Sequence, residues 1–150
     1  MYIEGKGVES NHEKAVYWYH KAGEHECAWR QNILGSMYYH GRVVEQSDEQ
    51  AVYWFRKSAE QGNKNAQNSL GYMYRNEKGV IQNYKEAVKW YRLAAEQGDA
   101  DAQCMLGLMY DSGEGVPQNY EEAVKWYRLA AEQGDVNAQD TLKNLNIDWK

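Results

Sequence analysis

The chain has 150 residues, 43% of them hydrophobic, which sets it apart from disordered tails. Its 17 basic residues against 22 acidic ones give a net charge of −5, which argues against a nucleic-acid ligand, because binding the phosphate backbone needs a basic stripe. No run of about 18 apolar residues is present to span a membrane, and the opening MYIEGKGVES lacks the basic-then-apolar order of a signal peptide.

Residues 1–25 read as half a unit. Tyr2, Gly5 and Val8 align with Tyr38, Gly41 and Val44, so the chain begins inside a repeat, at the end of a helix whose body is absent. Either a longer protein has been trimmed, with any export signal, or the array opens on a half unit; the compartment stays open. The helix carrying Ala15, Val16 and Tyr19 then has no upstream partner, and its apolar face is expected to associate with another molecule. The turn that follows, His25-Glu26-Cys27, places Glu26 where later turns have glycine, which predicts another geometry.

Three full repeats follow, at about 26–62, 63–98 and 99–134. Their first helices contain NILGSMYYHG (32–41), NSLGYMYRNE (68–77) and CMLGLMYDSG (104–113). In the middle repeat Ala66, Leu70, Met73 and Tyr74 form one apolar face at helical spacing. A loop follows, EKGVIQN in one repeat and DSGEGVPQN, with the single proline Pro117, in the next. Ser47 with Gln50, Asn83 with Glu86 and Asn119 with Glu122 fit capping boxes that open the second helices. Those helices carry AVYWFRKSAEQGN (51–63) and AVKWYRLAAEQGD, the latter letter for letter at 87–99 and 123–135. They stop at Gly62, Gly98 and Gly134, where a left-handed cap favours glycine. A last helix, about 135–147, has Lys143 and Asn146 in place of the repeated glycine and tyrosine, and reads as a C-terminal cap.

A 36-residue period over the whole chain predicts a single array, residues 1–150: an all-α, right-handed α-solenoid of antiparallel helix pairs. The glycines of Leu34-Gly35, Leu70-Gly71 and Leu106-Gly107 each cost about 1 kcal/mol relative to alanine in a helix, so a neighbouring helix is expected to approach closely there with its Trp or Tyr. Trp18, Trp54, Trp90 and Trp126 form a ladder at the repeat period, expected to pack between helices with polar tips reaching loops.

The string A-x-x-x-L-G-x-x-Y, a G-x-G-V-x-x-N loop, then A-x-x-W-Y-x-x-A-A-x-x-G resembles the Sel-1-like repeat, a tetratricopeptide-like unit. Ala102 through Gly134 fits it at nearly every position, and the resemblance covers essentially the whole chain. It implies an adaptor that holds partner proteins or peptides, in bacteria often exported and linked to signalling or host contact. It carries over no catalytic residues. Some such proteins have paired cysteines in each unit; here Cys27 and Cys104 are not equivalent in the repeat, and both are expected as free thiols.

Catalytic and cofactor motifs are missing from the sequence: there is no H-E-x-x-H, nucleophile elbow or phosphate loop. His20, His25 and Cys27 are metal-ligand types around the irregular turn, but the ordinary surface-histidine reading is preferred, so neither a metal nor a cofactor is expected. Repeated carboxylates such as Glu96 and Glu132 share one environment, whereas an acid/base pair needs two, so no enzyme is expected. Specificity belongs where the units differ. The first helices should line the concave side, and their outward face carries Trp29, Asn32 and Tyr39, then Asn65, Asn68, Tyr72 and Arg75, then Asp111. Asparagine carboxamides both donate to and accept from a peptide backbone, and Arg75 is positioned to hold a carboxylate. The expected function is non-enzymatic: a scaffold that binds a partner protein or extended peptide along this face. The alternatives are a module assembling through its repeat ends, or part of a longer exported bacterial protein contacting host or envelope proteins.

Overall fold

A computed structural model describes the backbone of residues 3–25 and 27–150, and the side chains from residue 11 onward except 12 and 26. The described residues form eight helices: α1 (Ile3–Glu24), α2 (Ala28–His40), α3 (Asp48–Glu60), α4 (Lys64–Arg75), α5 (Tyr84–Glu96), α6 (Ala100–Ser112), α7 (Tyr120–Glu132) and α8 (Val136–Asn144). Each packs on the next in chain order, and α2 also reaches α4, as in a helical repeat solenoid. The hairpins α2–α3, α4–α5 and α6–α7 are the three full units.

Local chemistry sets each boundary. Ser47, Asn83 and Asn119 accept from the backbone N–H of Gln50, Glu86 and Glu122 and so open the second helices. Asn63, Asp99 and Asp135 do the same for α4, α6 and α8, accepting from Ala66, Ala102 and Ala138. Each loop needs two residues with positive φ: Gly41 and Val43, Glu77 and Gly79, Gly113 and Gly115. In the second and third loops the second of the pair, Gly79 or Gly115, lies against the preceding unit. A Cβ on Gly79 would sit 2.4 Å from the Asp48 carbonyl carbon, and one on Gly115 would sit 2.4 Å from the Tyr84 oxygen.

The mid-helix glycines pack as expected, and the partner is the ring at the Tyr position. A Cβ on Gly35 would meet Phe55 at 2.5 Å, on Gly71 Tyr91 at 2.9 Å, and on Gly107 Tyr127 at 2.8 Å. Buried glutamines add a second ladder. Gln31, Gln67 and Gln103 each donate to a carbonyl eight residues back, Gly23, Ala59 or Ala95, and each accepts from the turn glutamine ahead, Gln61, Gln97 or Gln133.

Three expectations change. The tryptophans of the ladder do not extend polar tips to loops: Trp54, Trp90 and Trp126 are buried, and their indole N–H groups find no acceptor among the described residues. Lys57, Lys89 and Lys125 lie over their rings instead. The opening half unit is not a loop followed by a helix. α1 runs unbroken from Ile3 through the segment aligned with later loops. The last helix ends at Asn144, short of Ile147, where Asn146 turns to φ 56°. Ile147 and Trp149 then pack on the α7–α8 core. The expected irregularity at Glu26 lies outside the described residues.

Candidate partner-binding groove

The apolar faces of α2, α4, α6 and α8 are consumed by packing, so their opposite faces are left to line a common groove. Its volume is about 490 Å³. Asn32, Ser36, Tyr39 and His40 contribute from α2, Asn65, Asn68, Ser69, Tyr72 and Met73 from α4, and Asp101, Cys104 and Met105 from α6. Asp135 and Asn137 close it at α8, and Phe55 and Tyr91 reach it from the second-helix layer.

The residues singled out from sequence divide in two. Asn32, Tyr39, Asn65, Asn68 and Tyr72 line the groove together. Trp29, Arg75 and Asp111 stand elsewhere. Trp29 is 59% exposed and borders a separate cavity of about 620 Å³ near the start of the chain, with Trp18, Tyr19 and His25. Arg75 holds a carboxylate of its own chain: its Nε lies 2.9 Å from Glu114 Oε2, tying α4 to the next unit's loop. Asp111 is half-buried; burial, and then the Asp111 carboxylate, push the Tyr127 hydroxyl up.

Electrostatics differ along the groove. Tyr39 and Tyr72 meet edge to face, with ring centroids 6.2 Å apart. The neighbouring Tyr72 hydroxyl, and then burial, push the Tyr39 hydroxyl up to about 12, so it stays neutral at physiological pH. Burial, and then the Asp135 carboxylate, push the Cys104 thiol up to about 12. Asp101 and Asp135 make the α6–α8 end acidic; among the lining residues His40 is the one basic side chain. The groove floor was missed from sequence because Tyr91 lies inside the invariant string.

The histidines have structural places. His20 Nε2 lies 3.0 Å from the Tyr38 hydroxyl, the position from which Arg56 and Arg92 donate to Tyr74 and Tyr110 in later units. His25 and Cys27 are exposed, and among the described residues no three His, Cys, Asp or Glu side chains cluster as metal ligands. Cys27 and Cys104 are unbridged. No helix among the described residues is long and apolar enough to cross a membrane.

Stacked hairpins whose constant residues pack and whose variable residues line a groove define a helical-repeat scaffold. The Sel1 repeat profile matches residues 1–26, 31–63, 64–99 and 100–135, and the chain belongs to the Sel1 repeat family. Members of this family are generally non-enzymatic scaffolds for protein–protein interaction. Among solved structures, the chain is similar to a protective antigen present in uropathogenic Escherichia coli strains, with 41% identity, TM-score 0.83, and coverage of 85% of this chain and 27% of that one. It is also similar to a Sel1 repeat protein from Oxalobacter formigenes, with 40% identity, TM-score 0.80, and coverage of 91% and 56%. Helicobacter pylori cysteine rich protein B shares 26% identity at TM-score 0.67, with coverage of 90% and 97%. This chain thus spans about a quarter of the first relative's length and just over half of the second's. No curated protein matches the chain.

Proposed function

We propose that this chain is a non-enzymatic scaffold whose groove holds an extended peptide or a partner's surface. The observation that carries the reading is the division of labour within the repeat. Residues that recur from unit to unit fill the core, whereas Asn32, Asn68 and Cys104, one repeat position with changing occupants, face one continuous groove. Asn65 and Asn68 supply paired donors and acceptors for a main chain, and Tyr39 and Tyr72 supply rigid apolar area at low entropic cost. Asn68→Ala with Tyr72→Ala tests this. Proteins captured from the native source on the parent chain should be lost on the double variant, and calorimetry on a purified partner should show weakening by about 1–2 kcal/mol or more. Unchanged affinity in a folded double variant would remove the groove from consideration.

A second reading rests on the opposite end. Trp18 holds the ladder position of the buried Trp54, Trp90 and Trp126, yet is 64% exposed, and Tyr17 and Trp29 are exposed beside it. Such a patch suits assembly with another copy or with further units. A monomeric mass at high concentration counts against it. That one relative is a protective antigen supports placing such an array in a longer exported protein that meets host or envelope proteins. Antibody labelling of intact source cells separates that placement from an internal one.

A further inference from the structure

The floor of the groove holds a polar group with no partner. Tyr91 is 1% exposed, and among the described residues nothing bonds to its hydroxyl, although the same side chain borders the groove. A buried unmade hydrogen bond is destabilising, and the fold has no need of this oxygen: Phe55 fills the equivalent place one unit earlier, packed on Gly35 as Tyr91 packs on Gly71. Burial keeps the hydroxyl protonated, so it is available as a donor. None of the lining residues is a lysine or arginine, and Arg75 nearby is occupied by Glu114, while Asp101 and Asp135 border the same cavity with no ion-pair partner among the described residues.

We propose that the Tyr91 hydroxyl is the anchoring donor of a subsite in this groove, and that the segment bound there is an extended basic peptide. The hydroxyl is shielded in the unbound chain, so a main-chain carbonyl of the peptide accepts from Tyr91 by displacing the side chains over it, and a lysine or arginine side chain reaches Asp101 and Asp135. The inference rests on the groove reading above and adds to it the chemistry of the partner. It also gives a role to an oxygen that stability alone would remove.

The probe is a random-peptide phage library panned on the purified chain, with enriched peptides synthesised and their affinities measured by fluorescence anisotropy. Peptides enriched in Lys and Arg are expected, with binding that weakens as salt is raised. Tyr91→Phe should lower their affinity by about tenfold while the protein melts at or above the parent temperature. Asp101→Asn with Asp135→Asn should lower it at least as much and flatten the salt dependence; asparagine keeps the α8 cap that Asp135 provides. Tyr127→Phe, outside the groove lining, should change nothing. Enriched peptides that are neutral or acidic, or basic ones indifferent to Tyr91→Phe, overturn the proposal. If those peptides still depend on Asn68 and Tyr72, the groove reading survives alone. If nothing enriches, or the peptides ignore Asn68, Tyr72 and Tyr91 alike, both fall.

Discussion

Gly71→Ala should destabilise this protein, although alanine is the better helix former. Propensity favours the change by about 1 kcal/mol. Against it, the new Cβ would lie 2.9, 2.9 and 3.0 Å from Cδ1, Cγ and Cε1 of Tyr91. That ring is buried and cannot turn away, since it packs among Ala87, Val88, Ala94 and Leu106. Relief requires α4 and α5 to separate by several tenths of an ångström, which loosens contacts along the whole hairpin. Overpacking of this kind costs about 1–3 kcal/mol, and here it must also cancel the propensity gain. A net loss of up to about 2 kcal/mol is expected, at most roughly 8 °C in Tm for a chain of this size. Urea unfolding followed by far-ultraviolet circular dichroism measures it, and the same substitution in a Tyr91→Ala background supplies the control. With the ring gone, alanine at 71 should become neutral or favourable. If Gly71→Ala is stabilising in the parent chain, or its cost persists without Tyr91, close helix approach is not why the glycine is there.

Gln67→Ala removes bonds to Ala59 O at 3.1 Å and from Gln97 at 2.7 Å, and should cost about 1–3 kcal/mol by urea titration, about 0.5–1.5 kcal/mol for each hydrogen bond lost. Val43→Gly should stabilise by about 0.5–1 kcal/mol in the same assay, since Val43 is a β-branched residue held at φ 71° where the third unit has Gly115. Trp90→Ala should cost roughly 3–5 kcal/mol while Trp18→Ala stays within about 0.5 kcal/mol, a contrast that thermal melts would show and that follows from burial alone. Thiol titration of the native protein at mildly alkaline pH should find Cys27 reacting well before Cys104. The thiolate is the reactive form, and a thiol pushed up to about 12 stays protonated until far higher pH. Equal rates would contradict that burial.

What the sequence could show follows from what a period can encode. Contacts recurring in every unit leave recurring letters: the Leu-Gly pairs, the Asn83 and Asn119 caps and the glycine stops were all legible and all appear. Groove-facing positions were legible by the opposite sign, as change from unit to unit: Ser36 and Tyr72 hold one repeat position. Contacts made once leave no pattern. Arg75 and Glu114 are 39 residues apart, more than one repeat, and their equivalents one unit earlier are Tyr39 and Lys78, so nothing in the repeat announced the pair. His20, read from sequence as an ordinary surface histidine, stands in the column of Arg56 and Arg92. Asn63, Asp99 and Asp135, each following a glycine that stops the preceding helix, open the next helix, a role the sequence reading did not assign.

Tyr91 shows where equating repetition with scaffold breaks down. Tyr91 and Tyr127 sit in identical strings, and both rings pack against a mid-helix glycine. The ring is therefore scaffold in both places. The hydroxyl at its end meets whatever the adjoining first helices present, and those helices are the variable part of the repeat. At Tyr127 the neighbours include Asp111 and Cys104; at Tyr91 they include Tyr72 and Arg75. Of the two, Tyr91 is the one that borders the groove with its oxygen unmatched. A repeated residue thus takes its packing role from its own helix and its chemical role from a neighbour. Phe55 supplies the control: the same place is filled without the oxygen and the unit still closes on Gly35. Whether Tyr91 matters to a partner is then a question about one atom, and Tyr91→Phe removes that atom while leaving the ring that the fold requires.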